Sequence, residues 1–169
     1  MKVIEITKPG GPEVLAVAER PRPSCGARDA VVRVKAAGVN RPDIQQRRGL
    51  YPPPPGATDL PGLDIAGVVE QIGSEVTTLK VGDQVCALTN GGGYAEYCAV
   101  PAVQCLPIPS GMDFIHAAAL PEVFFTAWNN VVWLGRLAEG ETLLVQGGTS
   151  GVGLAAIQVG VPMVKGSMR

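Results

Sequence analysis

A chain of 169 residues, 46% hydrophobic and 17% charged, suits a packed globular protein and excludes a disordered one. A net charge of −1 without a basic stripe argues against a nucleic-acid surface, and no apolar run is long enough to span a bilayer. The 22 glycines and 15 prolines predict many turns and short strands, with helix in the minority.

Residues 3–7 read as an edge strand, stopped by Pro9-Gly10-Gly11-Pro12. Residues 14–18 form a second strand, followed by the connector Pro21-Arg22-Pro23. The clearest strand is 30–36, with Val32, Val34 and Ala36 on one face and Arg33 and Lys35 on the other. Another strand covers 65–72 and ends at Gly73-Ser74. Val81-Gly82-Asp83-Gln84-Val85 then turns into a strand through Leu88, and Gly91-Gly92-Gly93 leads into residues 94–100. Closely spaced strands with such turns predict a sandwich or a partly open barrel.

The texture changes near Ser110. Residues 112–120 are alanine-rich and helix-like, and Pro121-Glu122 starts a second helix carrying Phe124, Phe125, Trp128, Val131 and Val132. The domains expected are a β-rich part over 1–120 and a second part over 121–169. In the second part an apolar run (142–145) precedes Gln146-Gly147-Gly148-Thr149-Ser150-Gly151-Val152-Gly153, and another apolar run follows. Strand, glycine-rich turn and helix in that order bring backbone close to a pyrophosphate and aim a helix N-terminus at it. Gly160-Val161-Pro162 should break that helix, because proline removes a donor and clashes with the preceding turn.

The four cysteines are scattered without a CxxC pair, and His116 is the single histidine, so a zinc cage lacks raw material. With no signal-peptide core at Met1-Lys2-Val3-Ile4-Glu5, the expected location is cytoplasmic.

Several stretches taken together carry a resemblance. They are Gly38-Val39-Asn40-Arg41-Pro42-Asp43, Gly49-Leu50-Tyr51-Pro52-Pro53-Pro54, Pro61-Gly62-Leu63-Asp64-Ile65-Ala66-Gly67, Gly92-Gly93-Tyr94-Ala95-Glu96-Tyr97 and Gly148-Thr149-Ser150-Gly151-Val152-Gly153. This succession, over residues 2–159, resembles the zeta-crystallin-like quinone oxidoreductases of the medium-chain dehydrogenase/reductase superfamily. Its proline-rich and Gly-Gly-Gly-Tyr pieces look most like the p53-inducible type. The resemblance implies a mainly β fold: a GroES-like, partly open β-barrel domain, then the first strand, turn and helix of a truncated α/β Rossmann domain. It implies hydride transfer from NADPH to a quinone or activated enone.

By position the resemblance implies catalytic roles for Asn40, Asp43 and Tyr51, which would face nicotinamide and substrate. It implies cofactor contacts for Thr126, Gly147, Ser150, Gly151, Val152 and Gly153. Zinc-dependent relatives carry a cysteine where Asn40 stands and a His-Glu pair where Leu63-Asp64 stands, so no metal is expected; neutral donors from Asn40 and Tyr51 would polarise the carbonyl instead. Plainer readings stand beside these. Asn40 is also a suitable helix cap, Asp43 a first-turn carboxylate, Tyr51 a loop anchor, Leu63-Asp64 structural, and the aromatic set a packing core. For the whole chain the alternative is a non-catalytic GroES-like fragment that binds a small apolar ligand or a partner, with a vestigial nucleotide site. The open aromatic helix predicts self-association into a homo-oligomer.

Overall fold

The computed structural model describes residues 1–164; residues 165–169 lie outside the described residues. The chain divides into two compact units, Met1–Pro121 and the part from Glu122 onward.

The first unit is built on strands. β1 (Lys2–Ile6) and β2 (Leu15–Glu19) form an antiparallel pair. β3 (Asp29–Ala37), β4 (Asp64–Ile72), β5 (Gln84–Leu88), β6 (Tyr97–Pro101) and β7 (Cys105–Pro107) form an antiparallel sheet in the order β6-β3-β4-β5-β7. Side-chain alternation gives this sheet two apolar faces. One buries Ala30, Val32, Ile65, Val69, Val85 and Val100. The other buries Ala66 and Cys86 against Ala117 and Ala118, the last residue and the C-cap of a short helix, α2 (Phe114–Ala117). Cys98 of β6 and Cys105 of β7 lie at opposite edges of the strand order yet share the first core. The sheet therefore curls towards closure, as in a partly open barrel.

One patterning expectation fails, for a definite reason. Val34 pairs with Gly67 and Ala36 with Ala66, so Lys35 is an extra residue on β3. This bulge reverses the alternation. Val34 packs on the first core, whereas Ala36 packs on the α2 side. The strand β7, too short to show a period, was not legible in the sequence.

A seven-residue helix, α1 (Arg41–Arg47), begins directly after β3, with Asn40 as its N-cap. It leads to the exposed Tyr51 and the proline run behind it.

The second unit contains α3 (Pro121–Trp128), a π-helical continuation over Asn129–Leu134, and α4 (Gly151–Gly160). Ala127 of α3 and Ala155 and Ala156 of α4 form its core, with Val123, Phe124, Val131, Val145 and Val159 around them. Small residues at this contact let the helix backbones come close. The helix α4 stops at Gly160, two residues before Pro162, as the sequence requires. Residues 142–145, expected as a strand, carry no regular secondary structure and belong to no sheet among the described residues. A strand is defined by hydrogen bonds to a neighbour, which apolar patterning alone cannot supply. Leu144 is consequently 91% exposed, and Trp128, Trp133 and Leu134 are also exposed. Of the expected aromatic set, only Phe124 and Phe125 are half-buried. No described helix is long and apolar enough to cross a membrane.

Candidate functional site

The β3–α1 junction gathers more buried polar chemistry than any other part of the first unit. Asp43, in the first turn of α1, is only 4% exposed. Its Oδ2 accepts from the Asn40 N–H at 2.8 Å and from the Tyr94 hydroxyl at 3.1 Å, and its Oδ1 accepts from the Gly62 N–H at 3.0 Å. An ionised carboxylate placed inside a protein needs such donors to offset lost hydration. Burial first, and then the Asp43 charge, push the Tyr94 phenol well above the ordinary tyrosine range. Tyr94 therefore stays a neutral donor.

The backbone is shaped to let these groups meet. Gly62 has φ of +104°, and a Cβ there would lie 2.5 Å from the Tyr94 nitrogen. Only glycine accepts both the left-handed backbone and the close approach. The Gly62 carbonyl in turn accepts from the Thr89 hydroxyl at 2.9 Å and the Gly93 N–H at 3.0 Å. The segment before β4 and the loop before β6 are thus bound around α1.

Asn40 stands at the centre. Its N–H is held by Asp43, and its Nδ2 donates to Oδ2 of Asp64 at 2.8 Å. Its side chain also faces the Asp43 N–H as the other arm of a capping box, short of a full hydrogen bond. Asp64, at the start of β4, is 1% exposed. The capping reading and the site reading of Asn40 are therefore compatible. Asp43 is spent on three structural bonds, a geometry that suits holding rather than proton transfer. Tyr51 is 47% exposed, at the head of the proline run. His116 is exposed, with its Nδ1 2.7 Å from Asp113 Oδ1, and the bonds from His116 lower the Asp113 carboxyl. Tyr94, Gly62 and Thr89 were missed as contributors; the Gly-Gly-Tyr and Pro-Gly-Leu-Asp pieces contain the first two and Thr89 follows β5, but no local pattern reveals their mutual contact.

In the second unit the glycine-rich turn closes on Ser150. The Ser150 hydroxyl donates to the Gly147 carbonyl at 2.9 Å and accepts from the Gly153 N–H at 3.0 Å, capping α4. Gly147 has φ of +74°, and a Cβ on Gly153 would lie 2.3 Å from the Gly147 carbonyl oxygen. With Gly153 capped, the N–H groups of Gly151 and Val152 are first-turn donors without an intrahelical acceptor. Gly147, Ser150, Gly151 and Val152 are all exposed, so the turn is open to a ligand. Thr126 is half-buried in α3, and its carbonyl accepts from the Asn130 amide at 2.8 Å. Among the described residues, no group of three His, Cys, Asp or Glu side chains could hold a metal ion.

The model of the alcohol dehydrogenase GroES-like domain matches residues 26–110, and the chain belongs to that family. Within it, the likeness is to the quinone oxidoreductases of the medium-chain dehydrogenase/reductase superfamily. The rat (Rattus norvegicus) quinone oxidoreductase is 37% identical over 161 residues, 94% of this chain and 49% of its own length. The human synaptic vesicle membrane protein VAT-1 homolog-like structure superposes with a TM-score of 0.86 at 33% identity, over 97% of this chain and 54% of that one. A mycobacterial structure complexed with NADPH gives 0.83 at 32% identity, over 97% of this chain and 51% of that one. The chain spans about half the length of the curated relatives it matches.

Proposed function

We propose that this chain carries the site residues of a zinc-free, NADPH-dependent oxidoreductase acting on quinones or activated enones. The observation that carries the reading is the pairing of Asn40 Nδ2 with the buried Asp64 carboxylate, at the position where zinc-dependent relatives carry a ligand cysteine. Asn40 and Leu63 offer no thiolate or imidazole for zinc. A carboxamide held in this way keeps one N–H for a carbonyl oxygen as it gains charge.

The glycine-rich turn fits a dinucleotide. Its close backbone contacts, the Ser150 cap and the open N–H groups of Gly151 and Val152 suit a pyrophosphate. Gly147, Ser150, Gly151, Val152 and Gly153 would hold the phosphates, and Thr126 the carboxamide end. Bound NADPH would supply the hydride. Asn40 would donate to the acceptor's carbonyl oxygen, and Tyr51, exposed and able to donate through its hydroxyl, would face the same substrate. Asp43 would act by fixing α1 and the Asn40 backbone, not by moving a proton. Incubating the purified protein with NADPH or NADH and a benzoquinone, and following nicotinamide absorbance, tests the reading. Enzyme-dependent loss with NADPH is expected; no loss with either cofactor rejects it for this chain.

One observation favours a second reading. Residues 142–145 join no sheet among the described residues, so the nucleotide turn lacks the strand support that normally precedes it. The chain would then be a GroES-like module for a small apolar ligand or a partner. Micromolar NADPH binding by calorimetry would count against it.

A further inference from the structure

The aspartate at the head of β4 decides which way the Asn40 carboxamide points. We infer that Asp64 is a positioning residue that locks the Asn40 amide with its nitrogen inward, leaving a single N–H as the group's outward donor.

Three observations bear on this. Asp64 is 1% exposed, and its Oδ2 accepts from Asn40 Nδ2 at 2.8 Å. An ionised carboxylate has no proton to give, so a reversed amide would set oxygen against oxygen in a buried place. The backbone is built to bring the two together. The Gly38 N–H donates to the Asp64 carbonyl at 3.1 Å. A Cβ on Gly38 would lie 2.6 Å from the Ala118 carbonyl oxygen and about as close to the Asp64 side chain, at 2.9 Å from its Cβ and 3.0 Å from its Oδ2. Glycine at 38 thus permits the approach of β4 that puts Asp64 under Asn40. Finally, the other end of the carboxamide faces the Asp43 N–H in the capping box. The nitrogen is bonded to Asp64, and the oxygen end lies on the α1 side of the capping box without a full hydrogen bond. The three groups form a chain in which Gly38 admits Asp64, Asp64 orients Asn40, and Asn40 meets the ligand. Leu63-Asp64, read from sequence as structural, gains a specific task.

The kinetic consequence rests on the reductase reading above, but the orientation does not. The first measurement is therefore made without cofactor or substrate, by nitrogen-15 NMR on the labelled chain, with the Asn40 side-chain signals assigned by their loss in Asn40→Asp. In the unaltered protein the one Asn40 amide hydrogen that faces Asp64 should exchange with water more slowly than either hydrogen of the exposed Gln158 carboxamide, while its outward partner exchanges freely. Asp64→Asn keeps an acceptor oxygen and should preserve the slow exchange; Asp64→Leu removes it and should lose the protection. Exchange as fast as Gln158 in the unaltered protein overturns the inference, even if Asp64→Leu fails to fold. Unchanged protection in a folded Asp64→Leu protein also overturns it. The second measurement is steady-state kinetics with NADPH and a benzoquinone. Asp64→Leu should lower kcat roughly a hundredfold with the KM for NADPH little changed, and Asp64→Asn should recover most of it. Loss of kcat equal in both variants overturns the positioning role. If the unaltered chain shows no turnover, the reductase reading fails while the exchange result still decides the orientation.

Discussion

Asp43 concentrates the residue-scale energetics, because three donors from three separate segments converge on one buried carboxylate. Asp43→Ala leaves the Gly62 N–H, the Asn40 N–H and the Tyr94 hydroxyl without their acceptor. The expected loss is on the order of 3 kcal/mol or more in denaturant unfolding. Tyr94→Phe removes one donor only and should cost about 1 kcal/mol in the same measurement. Gly62→Ala meets both a left-handed backbone and the Tyr94 nitrogen, and should destabilise by about 2–3 kcal/mol. A Gly62→Ala protein as stable as its parent would show that the segment before β4 can yield, contrary to this account. Legibility at this scale was uneven. Asn40 and Asp43 stand out because cap residues have a local signature; the partners Gly62, Asp64 and Tyr94 are 19 to 51 positions away from them and have none.

Among the elements, α4 owes its start to Ser150 and its end to the Gly160-Val161-Pro162 step. Ser150→Ala removes the acceptor of the Gly153 N–H and the donor to the Gly147 carbonyl. We expect about 1 kcal/mol less stability for the second unit, together with weaker NADPH binding by calorimetry. Unchanged NADPH affinity would dissociate the cap from the phosphate turn. The sheet carries a different sensitivity. Burial pushes the thiol of Cys98 up to about 12 and that of Cys105 up to about 11, from an ordinary value of 9.0. Protonated thiols are therefore favoured by the fold. The stability linked to them is fully present below about pH 9 and is lost as the pH rises through 11 and 12. Melting temperature should fall across that alkaline window, and Cys98→Ala should flatten the fall even if it lowers stability near neutrality.

For the molecule as a whole, the exposed apolar groups of the second unit set the expected behaviour in solution. Trp128, Trp133, Leu134 and Leu144 are exposed, and residues 142–145 lie outside any described sheet. Such a surface favours concentration-dependent self-association, readable by light scattering across a dilution series. A constant monomer mass at high concentration would oppose it. The division of information follows from range. The sequence alone determined the succession of β1 to β6, the helix started by Ser150 and the glycine turn, because periodicity, caps and turn residues act within a few positions; the candidate trio Asn40, Asp43 and Tyr51 came from the resemblance, position by position. Only the tertiary structure decided that the Lys35 bulge sends Ala36 to the other face, that residues 142–145 go unpaired, and that Asp64 and Tyr94 hold the β3–α1 junction. Those outcomes depend on which strand lies beside which and how closely two backbones approach, quantities that no single stretch of chain contains.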